Sequence, residues 1–225
     1  MANIFPRWTN YIPHAIGVGA PLVLGGVVFT VWYWFSPYYT DVGYQPTQPV
    51  PYSHRLHAGE LGMDCRYCHN TVEEASFSAI PPAKTCMNCH SQVKTQSPKL
   101  APIRDSYETG KAVEWIKVHQ LPDYAYFNHS VHVSAGVGCE SCHGRIDTME
   151  VVSLSQPLSM GWCLDCHRNP TPHLRPLDKV TEMGWLEKQE ELRQNKPSDA
   201  YDPAKDPARE GMFVNPPEHC SGCHR

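Results

Sequence analysis

Ten cysteines occur in this chain of 225 residues, and all ten fall into five copies of Cys-x-x-Cys-His: Cys65-Arg66-Tyr67-Cys68-His69, Cys86-Met87-Asn88-Cys89-His90, Cys139-Glu140-Ser141-Cys142-His143, Cys163-Leu164-Asp165-Cys166-His167 and Cys220-Ser221-Gly222-Cys223-His224. Two thiols separated by two residues can add to the two vinyl groups along one porphyrin edge. The adjacent imidazole then lies under the iron as its proximal ligand. The spacing predicts five covalently attached haem c groups, with His69, His90, His143, His167 and His224 proximal. A single Cys-x-x-Cys is ambiguous between zinc, a redox disulfide and haem. Zinc would combine pairs into four-ligand sites and leave one of five unmatched, and it gives no reason for a His in all five places.

Eight further histidines are available for the distal faces. His54/His57 and His129/His132 form two His-x-x-His pairs, each just upstream of a haem motif. Residues three apart share a helix face, so each pair can offer imidazoles to two neighbouring irons. His119, in Trp115-Ile116-Lys117-Val118-His119-Gln120-Leu121-Pro122, is the expected fifth distal ligand, with His173 in Pro170-Thr171-Pro172-His173 as the alternative. A Met ligand from Met149, Met160, Met183 or Met212 would raise a potential, although Met more often packs. His219 abuts Cys220 and His14 lies at the edge of an apolar run, so neither is expected to serve.

The pairs and motifs repeat as a unit. Tyr52-Ser53-His54-Arg55-Leu56-His57 leads through Gly62 to the motifs at Cys65 and Cys86. Phe127-Asn128-His129-Ser130-Val131-His132 leads through Gly138 to those at Cys139 and Cys163. This reads as a two-haem module used twice, 52–90 and 127–167, joined by a connector over 91–126. A C-terminal arm, 168–225, carries the fifth motif. Residues 178–195 can form a helix with Trp185, Leu186 and Leu192 as apolar contacts, in either a solvated spacer or a docking arm.

These modules must be held by something other than an ordinary core. Residues 51–225 offer only about 35 residues for each of five haems, so the porphyrins themselves are expected to fill the interior. Pro at 21 of 225 positions fits a shell of short helices and loops. The expected fold is mostly α with extensive loop, little or no sheet, and one N-terminal transmembrane helix. Residues 15–35 carry no charge and are long enough to span a bilayer. Trp32, Tyr33, Trp34, Tyr38 and Tyr39 form an aromatic belt. Arg7 is the only basic residue before the run and none follows until Arg55, which places residues 1–14 in the cytoplasm and the bulk of the chain outside it. A cleaved signal peptide is the competing reading, but the apolar run is long and no small-x-small site follows, so an uncleaved anchor is expected. Residues 36–51 read as a Pro-rich tether.

The formal charge of −4, made more negative by about one to two charges per haem, gives no support to nucleic-acid binding. No phosphate loop, nucleophile elbow or metalloprotease helix is present. All five motifs end in His, and the spare histidines can close the distal faces. Six-coordinate haems shuttle electrons and do not bind substrate. Electron transfer is therefore expected over catalysis, and a multihaem reductase or a zinc module is the lesser reading.

The anchor run, the paired His modules, Trp115–His132 and Met160-Gly161-Trp162-Cys163-Leu164-Asp165-Cys166-His167-Arg168-Asn169-Pro170 together resemble the pentahaem cytochrome c subunit of bacterial alternative complex III. The resemblance implies a respiratory quinol:electron-acceptor oxidoreductase on the inner membrane. In that family, quinol-oxidising integral membrane subunits and an iron–sulfur protein pass electrons through the pentahaem chain to a monohaem cytochrome c or a terminal oxidase. The resemblance thus makes this chain a periplasmic, single-pass electron-transfer subunit rather than a catalyst by itself. A membrane-anchored quinol dehydrogenase feeding a nitrite or nitrate reductase is the alternative. Such proteins usually have four haems, so the fifth motif and the twin His pairs weigh against it.

Overall fold

The computed structural model describes residues 4–212 and 214–224, so residues 1–3 of the expected cytoplasmic N-terminus lie outside the described residues. The chain divides into two compact units, Met1–Val42 and Gly43–Arg225.

In the first unit a 3-10 turn, Arg7–Tyr11, leads into helix α1, Ile12–Trp34. Pro13 sits in the first turn, where its missing N–H is not needed. At about 1.5 Å per residue, the 23 residues of α1 reach about 34 Å, enough for a hydrocarbon layer of about 30 Å. The stretch Arg7–Trp34 has a mean hydropathy of 1.9, and none of its most apolar window is buried. By length and composition it can cross a membrane, as either an anchor or a signal sequence. The helix starts three residues before the expected Ala15, and Phe35 takes the C-cap. A short helix α2, Pro37–Thr40, follows. Tyr39 packs edge-on to Trp34 at 4.5 Å, which concentrates the aromatic belt at this end.

The second unit is built from short helices: α3 (Cys65–Cys68), α4 (Ala83–His90), α5 (Ala101–Thr109), α6 (His129–Ser134), α7 (Glu140–His143), α8 (Met160–Arg168), α9 (Trp185–Asn195) and α10 (Cys220–Cys223). Each cysteine pair rides a helical turn, which brings residues i and i+3 to one side. Among the described residues there is no sheet, only isolated bridges Ala125–His224 and Val137–Leu174. The buried apolar side chains described are Val50, Ile103, Leu154, Leu174, Val180 and Trp185, few for a domain of this length. Meanwhile Leu56, Leu61, Tyr67, Phe77, Ile80 and Val131, all near the motifs, stay exposed to the polypeptide's own surface. Such walls suit flat apolar porphyrins.

From Gly43 onward the segment expected as a tether is fastened down. Gly43 N–H donates to Leu154 O at 2.8 Å and Leu154 N–H to Tyr44 O at 3.0 Å. The Gln48 amide both donates to Ile116 O, 2.8 Å, and accepts from its N–H, 2.9 Å. Val50 is buried. Proline-rich sequence here is stiff rather than loose, because side-chain amides supply the pairing that prolines cannot.

The arm is likewise packed rather than solvated. Its helix is confined to Trp185–Asn195, since Gly184 turns the chain at φ +77° just before it. The Glu140 carboxylate accepts from the first free amides of α9, Trp185 N–H at 3.0 Å and Leu186 N–H at 3.4 Å. Glu140 also pairs with the fully buried Arg175 at 3.6 Å. Arg209 donates to Ala135 O, 2.6 Å, and to Arg175 O, 3.2 Å. The arm therefore closes over the third haem motif.

Candidate functional site

The duplicated sequence folds into duplicated geometry. In the first module the Tyr52 ring stacks on His57, centroids 4.5 Å apart at 21°, and meets His54 edge-on at 4.8 Å and 83°. In the second, Phe127 stacks on His132 at 4.4 Å and 29° and meets His129 edge-on at 4.7 Å and 88°. The aromatic residue acts as a spacer that splays the two imidazoles toward different targets. The second His of each pair is locked by the carbonyl four residues back: His57 Nδ1 to Ser53 O, 2.8 Å, and His132 Nδ1 to Asn128 O, 2.7 Å.

The pairing glycine differs from the sequence expectation. Gly62, at φ +66°, corresponds to Gly136, at φ +83°, and not to Gly138. In both modules the next residue, Met63 or Val137, donates to the carbonyl of the second His at 3.0 Å, and the first cysteine follows three residues after the glycine. The first module has one more residue between His and Gly. A π-helical turn over Arg55–Glu60 takes up that extra residue, whereas the second module uses an α-turn. Gly138 is needed for another reason, because a side chain there would collide with the Arg175 guanidinium.

Seven histidines of this unit share one hydrogen-bonding pattern. Besides His57 and His132, Nδ1 of His69 faces Ala79 O (3.0 Å), His90 faces Val93 O (3.0 Å), His129 faces Ser76 O (2.9 Å), His167 faces Pro217 O (2.7 Å) and His224 faces Tyr124 O (3.0 Å). A carbonyl oxygen only accepts, so Nδ1 must carry the proton and Nε2 keeps its lone pair. That is the tautomer and orientation of an imidazole that binds a metal through Nε2.

The rings also face one another in pairs. His57 and His90 have centroids 6.2 Å apart, and so do His132 and His167. With metal–nitrogen bonds of about 2 Å on each side, two imidazoles across one iron have centroids roughly 6 Å apart. His119 lies closer to His143, at 4.3 Å edge-on. His54 neighbours His69, His57 and His119. Buried ring nitrogens without hydrogen-bond partners occur at His54 (Nδ1), His119 (Nε2) and His173 (Nδ1), and such groups ask for an explanation. Burial, reinforced by neighbouring imidazoles, holds His54 and His119 down to about 4 and His143 to about 3. All three are neutral at pH 7, the form a metal takes. Burial likewise lowers His132.

The other sequence candidates have different surroundings. His173 lies in a 3-10 turn, Thr171–His173, with Arg193 and Arg175 as its charged neighbours. Met160 and Met212 are exposed, and Met149 Sδ accepts from Ser153 Oγ at 3.8 Å. Met183 lines a surface cleft beside Cys65. His219 occupies the N-cap of α10, and His14 Nδ1 faces Asn10 O in the first unit.

None of the ten cysteines pairs in a disulfide. Burial pushes the thiols of Cys68, Cys86, Cys163 and Cys166 up, and Cys142 to about 12. The Cys65 and Cys139 thiols hydrogen-bond to each other, which raises Cys65 and lowers Cys139. The donor set, the fixed tautomers and the paired rings together fit haem c.

The aromatic spacers stood in the repeated sequence pattern, but only the fold shows what they do. The Glu140–Arg175 pair had no sequence signal at all, since the two residues are joined only by the fold.

Comparison with known proteins agrees. Residues 50–110 match the family described as "Cytochrome c7 and related cytochrome c". A curated relative, "Menaquinone reductase, multiheme cytochrome c subunit" of Nitratidesulfovibrio vulgaris, is 35% identical over 131 residues, which is 57% of this chain and 60% of the relative. The chain thus spans about three fifths of that relative's length. The second unit is thus a multihaem cytochrome domain, similar over residues 50–110 to the cytochrome c7 type, and its motif cysteines fit covalent haem c.

Proposed function

We propose that this chain is a five-haem wire in a quinone-linked membrane complex, passing single electrons between a quinone-reactive module and a c-type carrier or oxidase. In this reading the ten motif cysteines hold five haems and the five motif histidines are proximal ligands. His54, His57 and His132 serve distally on the first, second and fourth irons, and His119 and His129 supply the remaining two distal positions. The observation that carries the reading is the set of seven histidines whose Nδ1 atoms are tied to backbone carbonyls, with Nε2 left free. At the second and fourth motifs the set would supply both imidazoles of a closed coordination, which favours electron transfer over substrate binding. When bound, haem supplies one-electron redox chemistry. The chain's residues fix ligand tautomers, hold the attachment sites close together and exclude water through the packed arm.

In this reading α1 anchors the chain, single-pass, in the inner membrane, with its short N-terminus in the cytoplasm and residues 43–225 in the periplasm. The parent assembly is of the alternative complex III type. Its iron–sulfur subunit, quinol-oxidising integral membrane subunits and monohaem cytochrome c are the partners. A wire has no built-in direction. The relative's name describes menaquinone being reduced, whereas the resemblance to alternative complex III implies quinol being oxidised, and reduction potentials decide between them.

The test uses the haem-loaded full chain, alone and within its membrane complex. The mass of the chain should exceed that of the polypeptide by five haems. A menaquinol analogue should reduce those haems rapidly only in the complex. Reduction at the same rate by the isolated chain would overturn the wire reading in favour of an anchored quinol dehydrogenase.

A further inference from the structure

The five attachment sites do not follow one another in space as they do in sequence. The first and second motifs are neighbours. His57 of the first pair faces His90 at 6.2 Å, Asn88 Nδ2 donates to Tyr67 Oη at 3.1 Å, and Cys86 and Cys89 lie in the electrostatic environment of Cys68. The other side of the first motif meets the third. Cys65 and Cys139 lie in each other's electrostatic environment, as do His143 and the first-module imidazoles His69 and His54.

This junction is pinned by the arm. Val180 O accepts from Cys139 N–H at 3.0 Å, and the adjacent Thr181 donates its hydroxyl to Asp64 Oδ2 at 2.9 Å, beside Cys65. Two consecutive residues thus reach the two motifs at once. The loop after the first motif adds to the junction. Ser76 O accepts from both His129 N–H and its Nδ1, at 3.1 and 2.9 Å, and Ala75 O accepts from Ser130 N–H at 3.2 Å.

Beyond the third motif the order resumes. Val137 N–H, just before the third motif, donates to His132 O at 3.0 Å, and the His132 ring lies 6.2 Å from that of His167 in the fourth. Cys163 and Cys166 share the electrostatic environment of Cys142, and Cys223 that of Cys163. His167 Nδ1 donates to Pro217 O, just before the fifth motif. Solvent exposure gives an independent mark of the ends. Of the ten cysteines, Cys89 and Cys220 are the exposed ones, and they belong to the second and fifth motifs.

We propose that the haem sites form a single file in the order second, first, third, fourth, fifth motif. The two modules are joined head to head at Cys65 and Cys139, and the second and fifth motifs are the terminals where electrons enter and leave. This deepens the wire reading and rests on its haem loading. Docking partners therefore meet the surfaces around Cys89 and Cys220, and the first and third sites are internal.

The deciding measurement is the location of irons by anomalous scattering at the iron edge, in crystals of the haem-loaded full chain. The expected result is that the iron at the first motif has two nearest neighbours, at the second and third motifs, while those at the second and fifth have one each. An iron at the second motif lying next to that at the third, with the first motif terminal, would overturn the order. So would a branched arrangement. The chain mass reads the haem count separately, so a shortfall there counts against the five-haem reading without deciding the order. In solution, the variant Cys86→Ala/Cys89→Ala removes one terminal haem and should leave the magnetic coupling among the other four ferric haems unchanged in paramagnetic resonance. Loss of coupling at the third haem in that variant would equally overturn the proposal.

Discussion

The two modules share a sequence pattern, ring geometry and ligand-locking bonds, yet they stand on different foundations. The residue after the first cysteine is Arg66 in one and Glu140 in the other. Arg66 lies at the surface, held by Asp64 at 2.9 Å and Glu73 at 3.1 Å. Glu140 is buried, paired with Arg175, and receives the start of α9. Duplication thus preserved what faces the iron and released what faces outward. One copy kept a solvated exterior and the other became the seat of the arm. The ligand machinery is a local property of about forty residues, whereas the buried ion pair and the contact with the arm belong to the second copy.

The largest effect should come from breaking what the modules share. His57→Ala and His132→Ala each remove a ring that faces a proximal histidine at 6.2 Å. Each variant should show one newly high-spin, ligand-accessible haem of the five, by absorbance and paramagnetic resonance, with equal amplitude in the two. An effect in only one variant would mean that the repeated geometry is not repeated coordination.

Breaking what the modules do not share comes next. Glu140→Ala leaves the Arg175 guanidinium buried without its counter-charge and α9 without its cap. Removing one partner of a buried pair typically costs about 3–5 kcal/mol. Arg66→Ala removes only exposed pairs, worth about 0–1 kcal/mol. Denaturant titration of the haem-loaded chain should separate the two variants clearly. Similar midpoints would sink the contrast drawn between the modules.

The helical character, with no sheet among the described residues, the apolar helix and the duplication were legible from residue types and spacing alone, because covalent attachment demands a fixed motif and leaves few alternatives. What escaped the sequence were features made by contacts between distant segments. The equivalence of Gly62 with Gly136 was hidden because a π-turn inserts one residue into the first module, so the spacing from histidine to glycine differs between the two copies. The fastening of residues 43–51 was hidden because Gln45 and Gln48 bond to backbone at Val151 and Ile116, far along the chain. Neither could be read from local propensity.

The glycines give a finer comparison. Both adopt positive φ, a region that costs an L side chain about 1–2 kcal/mol. Nothing lies within 4 Å of a Cβ placed on Gly62, so Gly62→Ala should cost about that amount. A Cβ on Gly136 meets Arg175 O at 2.9 Å and also the Arg209 guanidinium. Gly136→Ala should therefore be the more destabilising by thermal melting, and it should loosen the arm. Hydrogen exchange at Trp185 and Leu186, whose amides the arm's docking protects, reads that loosening directly.

The smallest effect lies at Asp64, a carboxylate that serves both the first motif and the arm. It caps α3 by accepting from Arg66 N–H at 2.8 Å and also accepts the Thr181 hydroxyl at 2.9 Å. Losing such a cap costs about 1 kcal/mol, so Asp64→Ala should lower stability by that order, and Asp64→Asn, which can still accept, by less. Hydrogen bonds from Arg66 hold the Asp64 carboxyl down to about 2. A carboxylate depressed in the folded state stabilises above its unfolded value, near 3.9, and loses that contribution as pH falls toward 2. The stability of the wild-type chain should therefore decline a little more steeply than that of Asp64→Asn between about pH 4 and pH 2. Solvent screening keeps the difference small, and parallel acid titrations of the two proteins would mean that the cap, rather than the charge, is what the first module needs from this residue.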